Sequence, residues 1–95
     1  MKVVWTRLAL EDLENAYEFI SYYSPEAAKE IISRVEGGIN NLRQYPNVGK
    51  KGRLKGTREL VIPNTPFFLP YRVKETHIEI LAFLHGRRKW PSPLE

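Results

Sequence analysis

The stretch that most constrains this chain is Tyr22-Tyr23-Ser24-Pro25. On either side of it apolar residues recur every three or four positions. Before it come Leu10, Leu13, Ala16, Tyr17 and Ile20, and after it Ala28, Ile31, Ile32, Val35, Ile39 and Leu42. That spacing predicts one amphipathic helix over about Arg7–Tyr22 and a second beginning at Pro25. Ser24 is a good N-cap, and Pro25 sits where a first helical N–H would go unpaired anyway. Glu26 suits the positive end of the helix dipole. A break this short joins two helices only as an antiparallel hairpin. Thr6 offers the first helix its own cap, and Pro46 stops the second after Tyr45. Gly37-Gly38 interrupts the second pattern at a cost of about 1 kcal/mol per glycine relative to alanine. The pair is expected to permit a close approach to the first helix, or a bend.

Outside the hairpin the period changes to that of strands. Lys2–Trp5 is β-branched and aromatic, and three further runs, Arg58–Ile62, Phe67–Val73 and His77–Leu84, are separated by short turns. Connections this short predict an antiparallel meander. In the last run Ile78, Ile80, Ala82 and Leu84 share one face and Leu81 and Phe83 the other, the pattern of a central strand covered on both sides. Pro70 has no N–H to offer a ladder, so a bulge or an unpaired edge is expected there. The element order is β-α-α-β-β-β. The fold class is α+β: a helical hairpin packed on one face of a mainly antiparallel sheet of about four strands. One helical layer leaves the other sheet face short of cover. Leu81, Phe83 and Phe67 or Phe68 are then expected at the surface, where they imply a partner.

With 95 residues, the chain makes a single domain spanning 1–95, closing in a short basic tail over 86–95. It has no cysteine and two histidines, which excludes disulfides, thiolate zinc sites and a histidine-rich metal centre. No metal or cofactor is expected. No apolar run approaches the roughly 18 residues of a membrane span, and the N-terminus lacks the apolar core and cleavage site of a secretory signal. A cytoplasmic location fits the absence of cysteine. Charge is lopsided: residues 1–49 carry −2 and residues 50–95 carry +6. A basic half points to a polyanionic partner, either nucleic acid or an acidic protein segment.

The cations form two groups. Lys50, Lys51, Arg53, Lys55 and Arg58 fall within nine residues with no acid until Glu59, which suits either a docking surface or a solvated loop. Arg87, Arg88 and Lys89 adjoin Trp90, a mixture that suits nucleic acid or an acidic groove; Trp90 packed back on the sheet is the plainer alternative. Arg72 is either a cation aimed at a target or a partner for Glu79. His85 has the reference pKa of a general base, but no acid or base beside it in sequence, which favours a structural or partner-contacting histidine. Glu59, next to Arg58 in sequence, suits either an active-site carboxylate or an ion pair on the sheet, and the ion pair is the expected role.

Several phrases, in order, carry a resemblance. They are Val3-Val4-Trp5-Thr6, Ser24-Pro25-Glu26-Ala27-Ala28, Pro46…Gly49, Gly56-Thr57-Arg58-Glu59-Leu60-Val61-Ile62, Tyr71-Arg72-Val73, and Ile78-Glu79-Ile80-Leu81 running into Leu84-His85-Gly86 and Lys89-Trp90-Pro91. Together these resemble the RelE/ParE superfamily of toxins from type II toxin–antitoxin modules. The resemblance implies a cognate antitoxin and one of two targets. RelE-like members cut mRNA on the ribosome and carry cations along the meander. Where those ribonucleases carry lysines this chain has Glu59 and Val61, and where they carry an arginine it has Phe68. The wording looks closer to ParE, which binds and poisons DNA gyrase and has no catalytic set of its own. On that branch Lys50, Lys51, Arg53, Lys55, Arg58, Arg72, Arg87, Arg88, Lys89 and Trp90 are expected to contact the target. On the ribonuclease alternative His85, Arg87, Arg88 and Lys51 are the catalytic candidates.

Overall fold

The computed structural model describes residues 1–86 and Trp90. Strand β1 (Lys2–Trp5) leads into helices α1 (Arg7–Tyr23) and α2 (Pro25–Gln44). Strands β2 (Lys50–Lys51), β3 (Arg58–Val61), β4 (Phe67–Val73), β5 (His77–Ile80) and β6 (Leu84–His85) follow. The sheet runs β1-β5-β4-β3-β2, with β6 also pairing β4. Every pairing is antiparallel except β1 with β5. The fold class and element order are as expected, but the sheet has six strand segments rather than about four. One of the extra segments, β2, is a two-residue strand that little but its ladder to β3 could specify, and the other, β6, is the end of an expected strand that is interrupted.

The helices begin where the sequence places them. Thr6 and Ser24 accept N–H bonds from Ala9 and Ala27, and these caps each contribute about 1 kcal/mol. The buried stripe of α1 keeps Leu13, Ala16 and Ile20 of the expected one and takes in Ala9 in place of Leu10 and Tyr17. Ala9, Leu13, Ala16 and Ile20 face inward, while Leu10 and Tyr17 are exposed. Ala9 joins the main core, and Leu13 and Ala16 pack against it. Gly38 in α2 approaches β3, not α1: a Cβ there would stand 2.9 Å from Ile62 Cδ1. The main core joins Val35, Ile39 and Leu42 of α2 to Leu60, Leu69, Tyr71, Ile78, Ile80 and Phe83.

At Pro70 the chain does form a bulge. Arg72 pairs with Glu79 and Phe68 with Leu84, so four steps along β4 match five along the returning chain. The extra residue lies in 81–83, splitting the expected strand His77–Leu84 into β5 and β6. It also moves side chains across the sheet. Phe83 turns into the main core at 3% exposure, and Ala82 and Leu84 pack with Phe68 on the far face. Phe68 and Phe83 are thus buried, correcting the expectation that they stand exposed, and Trp90 packs against the far-face cluster.

Tyr71 locks the α2–β2 connection. Its hydroxyl donates to Pro46 O (2.8 Å) and accepts from Gly49 N–H (2.9 Å). Arg58 donates to Asn47 O and Gly49 O beside it. Burial raises the Tyr71 pKa above its ordinary 10.0, with the Gly49 hydrogen bond and Arg58 opposing. Tyr71→Phe leaves both backbone groups unpaired and should lower stability by about 1–3 kcal/mol in urea denaturation. Because the native state holds this proton more tightly than the unfolded chain, the hydroxyl's contribution is complete below the unfolded pKa and fades as pH rises through the folded one. The stability gap between wild type and Tyr71→Phe should therefore be constant below about pH 9 and shrink above 10.

Candidate functional site

The basic loop between β2 and β3 has a defined shape. Gly52 N–H donates to Thr57 O (2.8 Å), and the Thr57 N–H and hydroxyl both donate to Leu54 O. Gly56 takes a positive φ of 79°, a conformation open to glycine at no steric cost. A Cβ on Gly52 would collide with Thr57. Lys50, Lys51 and Lys55 stand exposed on this frame.

The loop's arginines are structurally engaged. Glu59, on the sheet face away from the helices, has a side chain 1% exposed. It accepts the Arg53 backbone N–H at 3.1 Å and pairs with Arg53 Nε at 3.3 Å. A buried carboxylate needs such partners to offset its lost hydration. The Arg53 guanidinium also lies over the Phe68 ring, 4.9 Å from its centroid. Glu59 is therefore ion-paired as expected, its partner being Arg53; Arg58 is spent on the Asn47 and Gly49 carbonyls. Arg72 faces its cross-strand neighbour Glu79 at 3.9 Å, the partner reading rather than a free cation. Lys50, Arg53, Glu59, Phe68 and Gly86 share a shallow cleft of about 150 Å³ on this face.

The candidate catalytic residues do not converge where they are described. Lys51 pairs with Arg58, which pairs with Tyr71, whereas His85 pairs with Phe67. At about 4.8 Å per strand and 3.3 Å per residue, the two Cα atoms lie roughly 20 Å apart, far beyond a shared proton-transfer site. His85 is exposed and packs edge-on against Phe67. Arg87, Arg88 and Lys89 lie outside the described residues. Trp90 is half-buried against Phe68, Ala82 and Leu84. Among the described residues no cluster of His, Asp or Glu is arranged to hold a metal ion, and no helix is long and apolar enough to cross a membrane.

A second surface lies on the hairpin. Phe19, Tyr22 and Tyr23 project from the end of α1 with Tyr22 85% exposed, and the Phe19 and Tyr22 rings each lie edge-on to Tyr23. Beside them a groove of about 560 Å³ runs between the hairpin and β6, floored by Ala16, Ile31, Phe67 and Phe83. At its edge Asp12 accepts the Phe83 N–H at 3.1 Å. Sequence reasoning placed the unpartnered apolar surface on the sheet. It missed the signal in Phe19-Ile20-Ser21-Tyr22-Tyr23, where four large apolar or aromatic side chains cannot all face one core.

Comparison with known proteins accords with this geometry. The profile of the ParE toxin of the type II toxin–antitoxin system parDE matches residues 3–90. Y4kP of Sinorhizobium fredii, named as a candidate toxin, is 36% identical over 93 residues, spanning 98% of this chain and 96% of its own. The toxin RelE2 of Caulobacter vibrioides is 30% identical over 87 residues, spanning 92% and 97%. A structure of the chromosomal ParDE toxin–antitoxin system from P. aeruginosa superposes with a TM-score of 0.79 at 31% identity, covering 90% of this chain and 95% of that one. The YoeB/ParE toxin from Agrobacterium tumefaciens shares the fold, with a TM-score of 0.63 at 22% identity over 90% of this chain and 98% of that one. The chain belongs to the ParE toxin family of type II toxin–antitoxin systems.

Proposed function

We propose that this toxin is neutralised by a cognate antitoxin and that its target is DNA gyrase, which it inhibits by binding rather than by cleavage. The observation that carries the target is the use made of Glu59 and Phe68. On the resemblance set out above, these are the positions at which ribonucleases of the superfamily are expected to carry a lysine and an arginine. Here both are buried and engaged by Arg53. The phosphate-stabilising charge that RNA cleavage requires is replaced at these positions by a carboxylate and an aromatic ring. Exposed Lys50, Lys51 and Lys55 suit a contact surface that works by area and charge.

The antitoxin reading rests on the family and on two exposed surfaces of different character. The groove beside Phe19 asks for apolar side chains, and the basic loop for carboxylates. A segment that folds onto the toxin can satisfy both. The antitoxin's toxin-binding segment should therefore be apolar where it meets the hairpin and acidic where it meets the loop, and its affinity should fall as salt is raised. A binding constant indifferent to ionic strength would contradict this.

The alternative reading is a ribosome-dependent endoribonuclease, favoured by the similarity to RelE2. Gyrase supercoiling assays run beside primer extension on translated mRNA separate the two. Wild type should block supercoiling and leave the message intact. His85→Ala should weaken inhibition by less than the hot-spot threshold of about 2 kcal/mol; a ribonuclease using His85 as its base would lose about 100-fold or more in cleavage. Replacing Lys50, Lys51 and Lys55 by Glu should weaken gyrase inhibition by about 10-fold or more while leaving the fold intact, since their side chains are exposed. Codon-positioned cuts that vanish in His85→Ala, with gyrase untouched, would replace the gyrase reading by the ribonuclease one.

A further inference from the structure

Glu59 is the described chain's one almost fully buried carboxylate, at 2% residue exposure, and binding by exposed lysines gives it nothing to do directly. Its surroundings supply a role. Through its bonds to the Arg53 backbone and guanidinium it holds the start of the 52–57 loop against the sheet. Arg53 in turn covers Phe68, and Phe68 belongs to the small cluster on which Trp90 sits. Carboxylate, guanidinium, ring and indole thus form a continuous series across the far face of the sheet. Each member adjoins the next, Trp90 through the cluster to which Phe68 belongs. A charge-assisted hydrogen bond fixes the guanidinium plane, the plane sets the ring's outer face, and the ring is part of the wall against which the indole packs.

We propose that Glu59 is a positioning residue that sets the basic loop and Trp90 as one unit, so that the loop lysines and Trp90 meet the target in a fixed relation. The link to a target rests on the function proposed above; the coupling itself does not, and it can be measured without any target. Glu59→Gln keeps the shape and an acceptor for the Arg53 N–H but removes the charge that orients the guanidinium. In a Trp5→Phe background, which leaves Trp90 as the sole tryptophan, amide exchange in 52–57 should rise by about 10-fold or more. Acrylamide quenching of Trp90 should rise with it. Because Glu59 acts through Arg53, adding Glu59→Gln to Arg53→Met should change Trp90 quenching no further, whereas a general loosening of the fold would add to it. Inhibition of the target should fall in parallel with the two spectroscopic changes.

A loop that loosens while Trp90 quenching stays at the wild-type value would overturn the proposal. So would a Glu59→Gln effect that persists in full beside Arg53→Met. Should Glu59→Gln fail to fold, Arg53→Lys carries the test. It keeps a cation beside the carboxylate but loses the flat group over Phe68, so it must raise Trp90 quenching by itself, and unchanged quenching counts against the coupling. Failure of the gyrase reading would show as coupled exchange and quenching with supercoiling unaffected by every variant, wild type included.

Discussion

Pro70 has no amide hydrogen to give, and the centre of the sheet is organised around that lack. Within a strand the N–H and C=O of one residue point to the same side. Pro70 accepts from Leu81 N–H, so its missing donor faces the returning chain, where the register slips by one residue. The slip sends Phe83 toward the helices and Leu84 away from them. Asp12 of α1 takes the Phe83 N–H, and the Thr6 hydroxyl donates to the Leu81 carbonyl. An imide in the middle of a ladder thus decides which side chains make up each of two cores and where the first helix attaches.

The second organising constraint is electrostatic. Ten of the chain's fifteen lysines and arginines fall in its second half, yet the structure divides them by chemistry. Arg53 is held by a buried carboxylate and Arg58 by two backbone carbonyls, while Arg72 lies 3.9 Å from a cross-strand glutamate, an ion pair without a hydrogen bond. Lysines 50, 51 and 55 are left to solvent. Counting charge along the sequence treats these residues as one patch. Among the described residues of this half, the fold makes Arg53, Arg58 and Arg72 structure and leaves Lys50, Lys51 and Lys55 as surface.

Much of this architecture was legible in the chain. Ser24-Pro25 announced the hairpin, Pro46 its end, and Pro70 a disturbance in its strand, because caps and imides act locally. The superfamily followed from words spread over nearly the whole sequence. What escaped prediction depends on contacts distant in sequence. The face on which Phe83 lies follows from a bulge whose position no periodicity marks. That Ala9 lies inside while Leu10 and Tyr17 face out is decided by how α1 docks, which its own periodicity leaves open between neighbouring stripes. Glu59 finds Arg53 rather than Arg58 because the loop folds back, and the neighbouring arginine is drawn to Asn47 and Gly49 instead. The site was legible as a charged region, but its division of labour was not.

The outermost strand at one margin of the sheet is Lys50–Lys51. An open margin is a template on which another chain can lay a strand, and repeated additions build fibres. Two residues are too few to seed such growth, and two ammonium groups repel an identical neighbour. A protein that leaves Phe19, Tyr22 and Tyr23 in water before its partner arrives has sticky rings at one end. At the Lys50–Lys51 margin, though not at the opposite margin formed by β1, the sheet resists the strand addition by which transient clustering through those rings would turn into irreversible polymerisation.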